Sequence, residues 1–320
     1  MSKSAKIWLI VATSLLIIGC LIFGGVMTVL KWDFSKLSTN KYEIKKYEVG
    51  ESFNSISINV DTADVKILPS EGMDCSVECH EQKNIKYSVE VIDNVLTVKV
   101  VDSRRWYEHI GINFGSPKLT VYLPRGEYGK LYVRSSTGDV EISKDFTFEA
   151  VDVATSTGDV KNFAFSSGDV TVKASTGDIL VEGISAKSID LSVSTGDITL
   201  SNVNCSGDVS VKVSTGRTKL TNLTCQNLIS GGDTGDMSLK SVIASGEISI
   251  KRSTGDVNFE ASDAASIFVE TDTGDVKGSL LSEKIFIINT DTGKKEVPES
   301  TTGGRCKITT DTGDIKITIN

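Results

Sequence analysis

The chain has 320 residues and a net charge of −8, so it lacks the basic surplus that a nucleic-acid partner requires. Two histidines give a zinc centre little to draw on, and neither a metal nor a cofactor is expected. Four prolines against 28 glycines, with abundant Ser, Thr and Asp, suit turn-dense β structure rather than a helical protein.

Residues 1–6 form a short tail that carries Lys3 and Lys6. Residues 7–30 follow as an apolar run of 24 residues without a charge. As a helix this run is ~36 Å long, enough to cross a hydrocarbon core of ~30 Å. The lysines in front place the N-terminus in the cytoplasm, and Trp8 and Trp32 stand near the two ends, where indoles favour the interface. The segment reads as a single-pass membrane anchor with the rest of the chain extracellular. Two alternatives stand beside it. Ile17-Ile18-Gly19-Cys20 resembles a lipobox that would make Cys20 a lipidated N-terminus, although the apolar run continues for ten residues beyond it. A cleaved secretory signal would have a shorter core. All three readings export the β-rich remainder of the chain.

Residues 31–50 are polar with scattered aromatics and read as a juxtamembrane linker. From 51 to 135 the pattern is strand-rich but irregular. Ile56, Ile58 and Val60 alternate with polar residues, and Asp61-Thr62-Ala63-Asp64-Val65 is a degenerate copy of a phrase that recurs later. Tyr87, Val89 and Val91 run to the turn Asp93-Asn94, and Leu96, Val98 and Val100 return from it. Leu119, Val121 and Leu123 stop at Pro124. This region is expected to cap the first coil of the repeat behind it, since a solenoid needs an atypical unit at its end. The loop from Asp102 to Pro117, with Arg104, Arg105, Trp106, Tyr107, His109 and Phe114, is the most aromatic and basic patch of the exported part. It reads first as a plug for the solenoid end and second as a contact surface.

Residues 136–320 are dominated by Ser/Asp-Thr-Gly-Asp followed by a β-branched residue. The glycines stand at Gly138, Gly158, Gly177, Gly196, Gly216, Gly235, Gly255, Gly274, Gly293 and Gly313, always 19 or 20 residues apart. Between them the pattern has period two, as in Val209, Val211 and Val213 with Ser210 and Lys212 between, which means strands. A unit this short cannot bury its own apolar face, but coils stacked on one another can. The expected fold is all-β: a right-handed parallel β-solenoid of 19–20-residue coils, about 50 Å long, behind one transmembrane helix. The glycine falls third in a four-residue turn, where a type II turn needs φ > 0. Gly168, Gly207 and Gly246 recur at 39 residues, so alternate coils carry a second glycine corner. The final strand, Ile315, Ile317 and Ile319, ends at Asn320 without a cap, an edge that invites self-association.

Candidate chemistry is sparse. Nine residues after successive corner glycines come Ala186, Cys205, Cys225, Ala244 and Ala264, a column that demands a small apolar residue, so its cysteines are expected to be free rather than bridged. Cys75 and Cys79 lie four apart in a strand, too far to bridge each other. Asp139, Asp159, Asp178, Asp197, Asp236, Asp256, Asp275 and Asp314 stack along one corner, joined in later coils by Asp233, Asp272, Asp291 and Asp311. A calcium ladder and plain turn-forming aspartates both explain them; the second is favoured, because the residues suit turns and Arg217 and Lys294 occupy the same column. No nucleophile with its base, no phosphate loop and no long loop that could build a cleft interrupts the repeat, so no enzyme is expected.

The combination of Phe53-x-x-Ile56-x-Ile58, Asp61-Thr62-Ala63-Asp64-Val65-x-Ile67, Leu119-x-Val121-x-Leu123-Pro124 and serial Ser-Thr-Gly-Asp-Val phrases resembles a bacterial family of adhesin-like domains of unknown function that includes the LiaG-type cell-envelope proteins. The resemblance covers residues from about 50 to 320. It implies a membrane-tethered or secreted β-solenoid of the bacterial, Gram-positive envelope, without catalytic residues. The expected function is non-catalytic binding or scaffolding at the cell surface, towards cell-wall or host glycans or proteins. The alternative is envelope-stress sensing through cationic peptides or partner membrane proteins.

Overall fold

The computed structural model describes residues 2–33, 42–82, 84–105 and 117–320. It contains one helix and a continuous 27-stranded sheet wound into a solenoid. Helix α1 (Lys3–Val29) starts at Ser2, whose hydroxyl accepts from the Ala5 amide at 3.2 Å. Thr13 and Thr28 return their hydroxyls to the carbonyls of Leu9 and Gly24, so these two polar groups are satisfied within the helix. Ser4–Val29 contains an 18-residue stretch with a mean hydropathy of 2.6 and is long and apolar enough to cross a membrane, a property that a signal sequence shares.

The solenoid is built as the period predicts. Neighbouring coils pair in parallel, Val170 beside Ile189 and Val172 beside Leu191, then Ile189 beside Val209 and Leu191 beside Val211. In each coil alternate side chains point inward: Val209, Val211 and Val213 are buried, while Ser210 is half-buried and Lys212 exposed. These columns of Val, Ile and Leu merge into one core that runs the length of the solenoid. The small-residue column behaves as expected. Ala186, Cys205, Cys225, Ala244 and Ala264 are all buried, and the six cysteines are free thiols. Burial pushes the Cys225 thiol up to about 12, so it stays protonated and apolar in character.

The corner glycine has the positive φ expected, +145° at Gly196, but in the extended mirror-image region rather than near the ~+80° of a type II turn. The stacking explains the difference. A Cβ on Gly196 would lie 2.1 Å from the carbonyl oxygen of Gly177 in the coil below, so the backbones meet where no side chain fits. A further corner leaves no mark in the sequence period. Six residues after successive corner glycines, Gly183, Asn202, Asn222, Ser241 and Ala261 all take φ between +48° and +69°. No shared residue type marks that column, only a shared backbone shape.

The N-terminal part adds antiparallel strands at the start of the solenoid. Strands β1 (Glu43–Val49), β2 (Ser55–Thr62), β3 (Asp64–Pro69), β4 (Cys75–Glu81), β5 (Ile85–Ile92), β6 (Val95–Asp102), β7 (Lys118–Leu123), β8 (Gly126–Thr137) and β9 (Val140–Ile142) come in that order. β2 and β3 form the first coil, under β8 and β9. The degenerate phrase is a true corner: a Cβ on Gly138 would meet the Ala63 carbonyl oxygen at 2.1 Å. β6 and β7 extend the coil outward in parallel, then β5 pairs antiparallel with β6, and β4 with β7. β1 closes β4 antiparallel along Glu43–Val49, so part of the stretch read as linker is a strand. Its Tyr47 hydroxyl donates to Glu81 at 2.5 Å, beside the Tyr87 amide and the Lys86 ammonium. Burial alone would raise the Glu81 carboxyl; these three donors outweigh it and hold it below the ordinary glutamate value. Of the aromatic loop, Trp106, Tyr107, His109 and Phe114 lie outside the described residues; Arg104 pairs with Asp102 at 2.6 Å.

At the far end the chain departs from sequential stacking. The coil around Gly313 (304–319) does not lie outermost. It pairs on one side with the coil around Gly274 (267–280) and on the other with the coil around Gly293 (284–296). The last strand, Ile315–Ile319, is therefore covered at Ile315 and Lys316 and keeps an open side only at 317–319, and most of the end of the solenoid is formed by Lys284–Thr292 and Lys295–Glu296. The 39-residue glycine pattern supplies the reason. At that corner the spatial order reads Gly246, Ala265, Gly304, Lys284, so a glycine sits against Ala265 only because the last coil slots in. A Cβ on Gly304 would lie 1.9 Å from the Ala265 carbonyl oxygen. Sequential stacking would put Lys284 in that place, and its Cβ would clash.

Candidate binding surface

Three features of the solenoid present functional groups: the Thr-Gly-Asp corner, the flat outer faces and a groove at the far end. At the corner the aspartates form the ladder expected, and each has a structural task. One carboxylate oxygen of Asp159 accepts the Asp178 amide at 2.8 Å, and Asp178 accepts the Asp197 amide at 2.8 Å. The relay begins at Asp64, which accepts from Asp139, and it follows space rather than sequence: Asp275 accepts from Asp314, and Asp314 from Lys294. Each carboxylate thus caps a peptide N–H of the next coil.

Like charges ~4.8 Å apart at a wet corner repel by only about 1 kcal/mol, and less in salt. Arg217 relieves one step, its guanidinium 2.7 Å from Asp197. Burial pushes the Asp197 carboxyl up, but the Arg217 amide and guanidinium win and hold it below the usual aspartate range. Among the described residues no three His, Cys, Asp or Glu side chains converge on one point. Asp178→Ala is expected to cost about 1 kcal/mol, the loss of one amide cap, while Asp178→Asn keeps the acceptor and stays within about 0.5 kcal/mol of wild type. Thermal melts with calcium and with chelator check the assignment: a melting point that follows calcium would mean that the ladder holds the ion.

Directly before each corner glycine stands an exposed threonine, from Thr137 and Thr157 through Thr195 to Thr312 and Thr292. Each lies in register with the threonine of the next coil, Thr195 with Thr215 and Thr273 with Thr312. Their hydroxyls repeat at the strand spacing along the whole solenoid. Asp233, Asp272, Asp291 and Asp311 are also exposed, on the outer side of the same corner.

The groove lies where the coil order changes, lined by Ile243, Asp263, Ser282, Glu283, Lys284 and Thr302; it is shallow and open to solvent, with a volume of about 520 Å³. Lys284 is 2 % exposed, and its ammonium lies 2.6 Å from Asp263 and donates to Ser282 Oγ at 2.5 Å. Held by a carboxylate, it works as a donor that anchors the corner. Glu283 accepts from the hydroxyls of Ser300 and Thr302. No signal in the sequence joined these residues, because two non-sequential coils bring them together.

The sequence profile of one family matches residues 53–210 and 204–320, almost the whole chain beyond the helix and linker. The chain belongs to the Toastrack DUF4097 family. The resemblance expected from the Leu-Pro strand and the Gly-Asp coils is thereby shown. No curated protein matches the chain in sequence. Among crystal structures, a "putative adhesin" of Bacteroides fragilis is 14% identical, with 87% of this chain and 97% of that chain covered and a TM-score of 0.44. A "putative lipid binding protein" of Parabacteroides distasonis is 16% identical, with 75% and 95% covered and a TM-score of 0.46. The distances are too large for either function to be carried across, and the Toastrack coils must be read from their own surfaces.

Proposed function

We propose that this Toastrack protein is a non-catalytic binding or scaffold protein of the bacterial cell surface. Residues 7–30 anchor it in the membrane, the N-terminus lies in the cytoplasm, and the solenoid of residues 136–320, capped by 51–135, stands outside. The single observation that carries the binding role is the unbroken register of exposed threonines beside every corner. A ligand that exploits it must itself repeat, which favours a linear glycan of the cell wall or of a host surface. Charge contributes little to such contacts, so binding should resist salt.

The test is retention of the full chain, in detergent, on insoluble cell-wall and host-type glycans at low and high salt. Salt-resistant retention that is lost in Thr195→Val/Thr215→Val supports the reading. Retention indifferent to those threonines, or no retention on any glycan, overturns it.

A second reading rests on the exposed Asp233, Asp272, Asp291 and Asp311, which favour cationic peptides and an envelope-stress sensor. Binding of such peptides that vanishes with salt and with Asp272→Asn/Asp311→Asn would support it instead.

A further inference from the structure

Among the described residues, Lys284–Thr292 pairs with one strand only, Gly304–Thr312, so its other edge is open. Open edges recruit further strands unless charge, proline or a bulge blunts them. The opposite end of the solenoid is blunted: β1 carries Glu43, Lys45, Lys46 and Glu48, and β5 carries Lys86 and Glu90. From Ile285 to Thr290 the far edge has no charge and no proline. Its outward face shows Ile285 and Ile287, 42 % and 44 % exposed. Its inward face shows Phe286 and Ile288, half-buried at the end of the core.

A strand that docks there must be uncharged and apolar on both faces. Neither β1 nor β5 qualifies, the longer interior strands are paired on both sides, and Ile317–Ile319, which also has one unpaired side, is too short to match it. The strand that fits is the same one in a second copy of the chain. We propose that Lys284–Thr292 is a self-association edge, pairing antiparallel with its own copy about a two-fold axis to form a closed dimer, end to end. The register that faces Ile287 with itself also sets Phe286 against Ile288 of the copy, so the core continues through the junction. Antiparallel self-pairing consumes both open edges at once, whereas stacking on a charged β1 or β5 would leave one edge free and grow without limit.

The experiment uses the full chain in detergent, in a Cys20→Ser background so that no exposed native thiol remains. Sedimentation over a hundredfold range of concentration is expected to show one chain passing to two and stopping there. Ile287→Lys puts an exposed charge on the edge without touching the core and should return the protein to one chain. Ile287→Cys should form an intermolecular disulfide with its own copy under mild oxidation, and Lys46→Cys on β1 should not. A single chain at every concentration, a mass that keeps growing, a dimer indifferent to Ile287→Lys, or equal cross-linking at both positions would each overturn the proposal. The indifferent dimer would place association in the helix instead.

Discussion

Gly196→Val is expected to destabilise the solenoid by about 3 kcal/mol or more, the largest effect of a single change at the corner. Two independent causes add. A β-branched residue is strained at a φ of +145°, and its Cβ would lie 2.1 Å from the Gly177 carbonyl oxygen. The neighbour cannot yield, because that carbonyl belongs to a corner backbone pinned on both sides: the Gly177 amide donates to Thr195, and the Gly196 amide to Thr215. Gly196→Ala separates the causes, since alanine meets the same oxygen but is less strained than valine. Chemical denaturation of both variants measures the difference. An unchanged midpoint for the valine variant would show that the corner is not closed as described.

The second large effect concerns the far end. Gly304→Val should cost about 2 kcal/mol or more, because its side chain would enter the Ala265 carbonyl. The loss should also be local. The coil of 304–319 is inserted last in sequence between two coils already laid down, so a misfit there expels that coil and leaves the rest paired. Cys306, Ile308, Ile315 and Ile317, buried in wild type, would then be uncovered. Hydrogen exchange is the measurement: amides of 304–319 are expected to lose protection while those of 189–195 keep it. Uniform loss, or none, would remove the glycine contact as the reason for the coil order.

These two glycines show where the sequence is sufficient and where it is not. The 19–20-residue period, the inward valines around Val211 and the small column through Cys205 follow from one-dimensional pattern, because each coil meets only its neighbours and repeats their environment. The sense of the Asp column was legible for the same reason. The aspartates suit turns, and the structure adds the acceptor that each supplies, as Asp178 does for Asp197.

What the sequence could not show is everything that depends on which coil touches which. Its order implied that Ile315–Ile319 closes the solenoid; pairing between coils puts Lys284–Thr292 there instead, since a backbone carbonyl at Ala265 admits only glycine against it. The same non-sequential contact draws Lys284 to Asp263 and creates the end groove. β1 was hidden for a related reason. Glu43–Val49 is mostly polar and exposed, and becomes a strand only because β4 offers it an edge. Local pattern, then, determined the repeat, the inward face and the corner chemistry of this protein. The order of the last coils and the strand left open to a partner were decided by tertiary structure, because steric exclusion between backbones acts only once the coils are in contact.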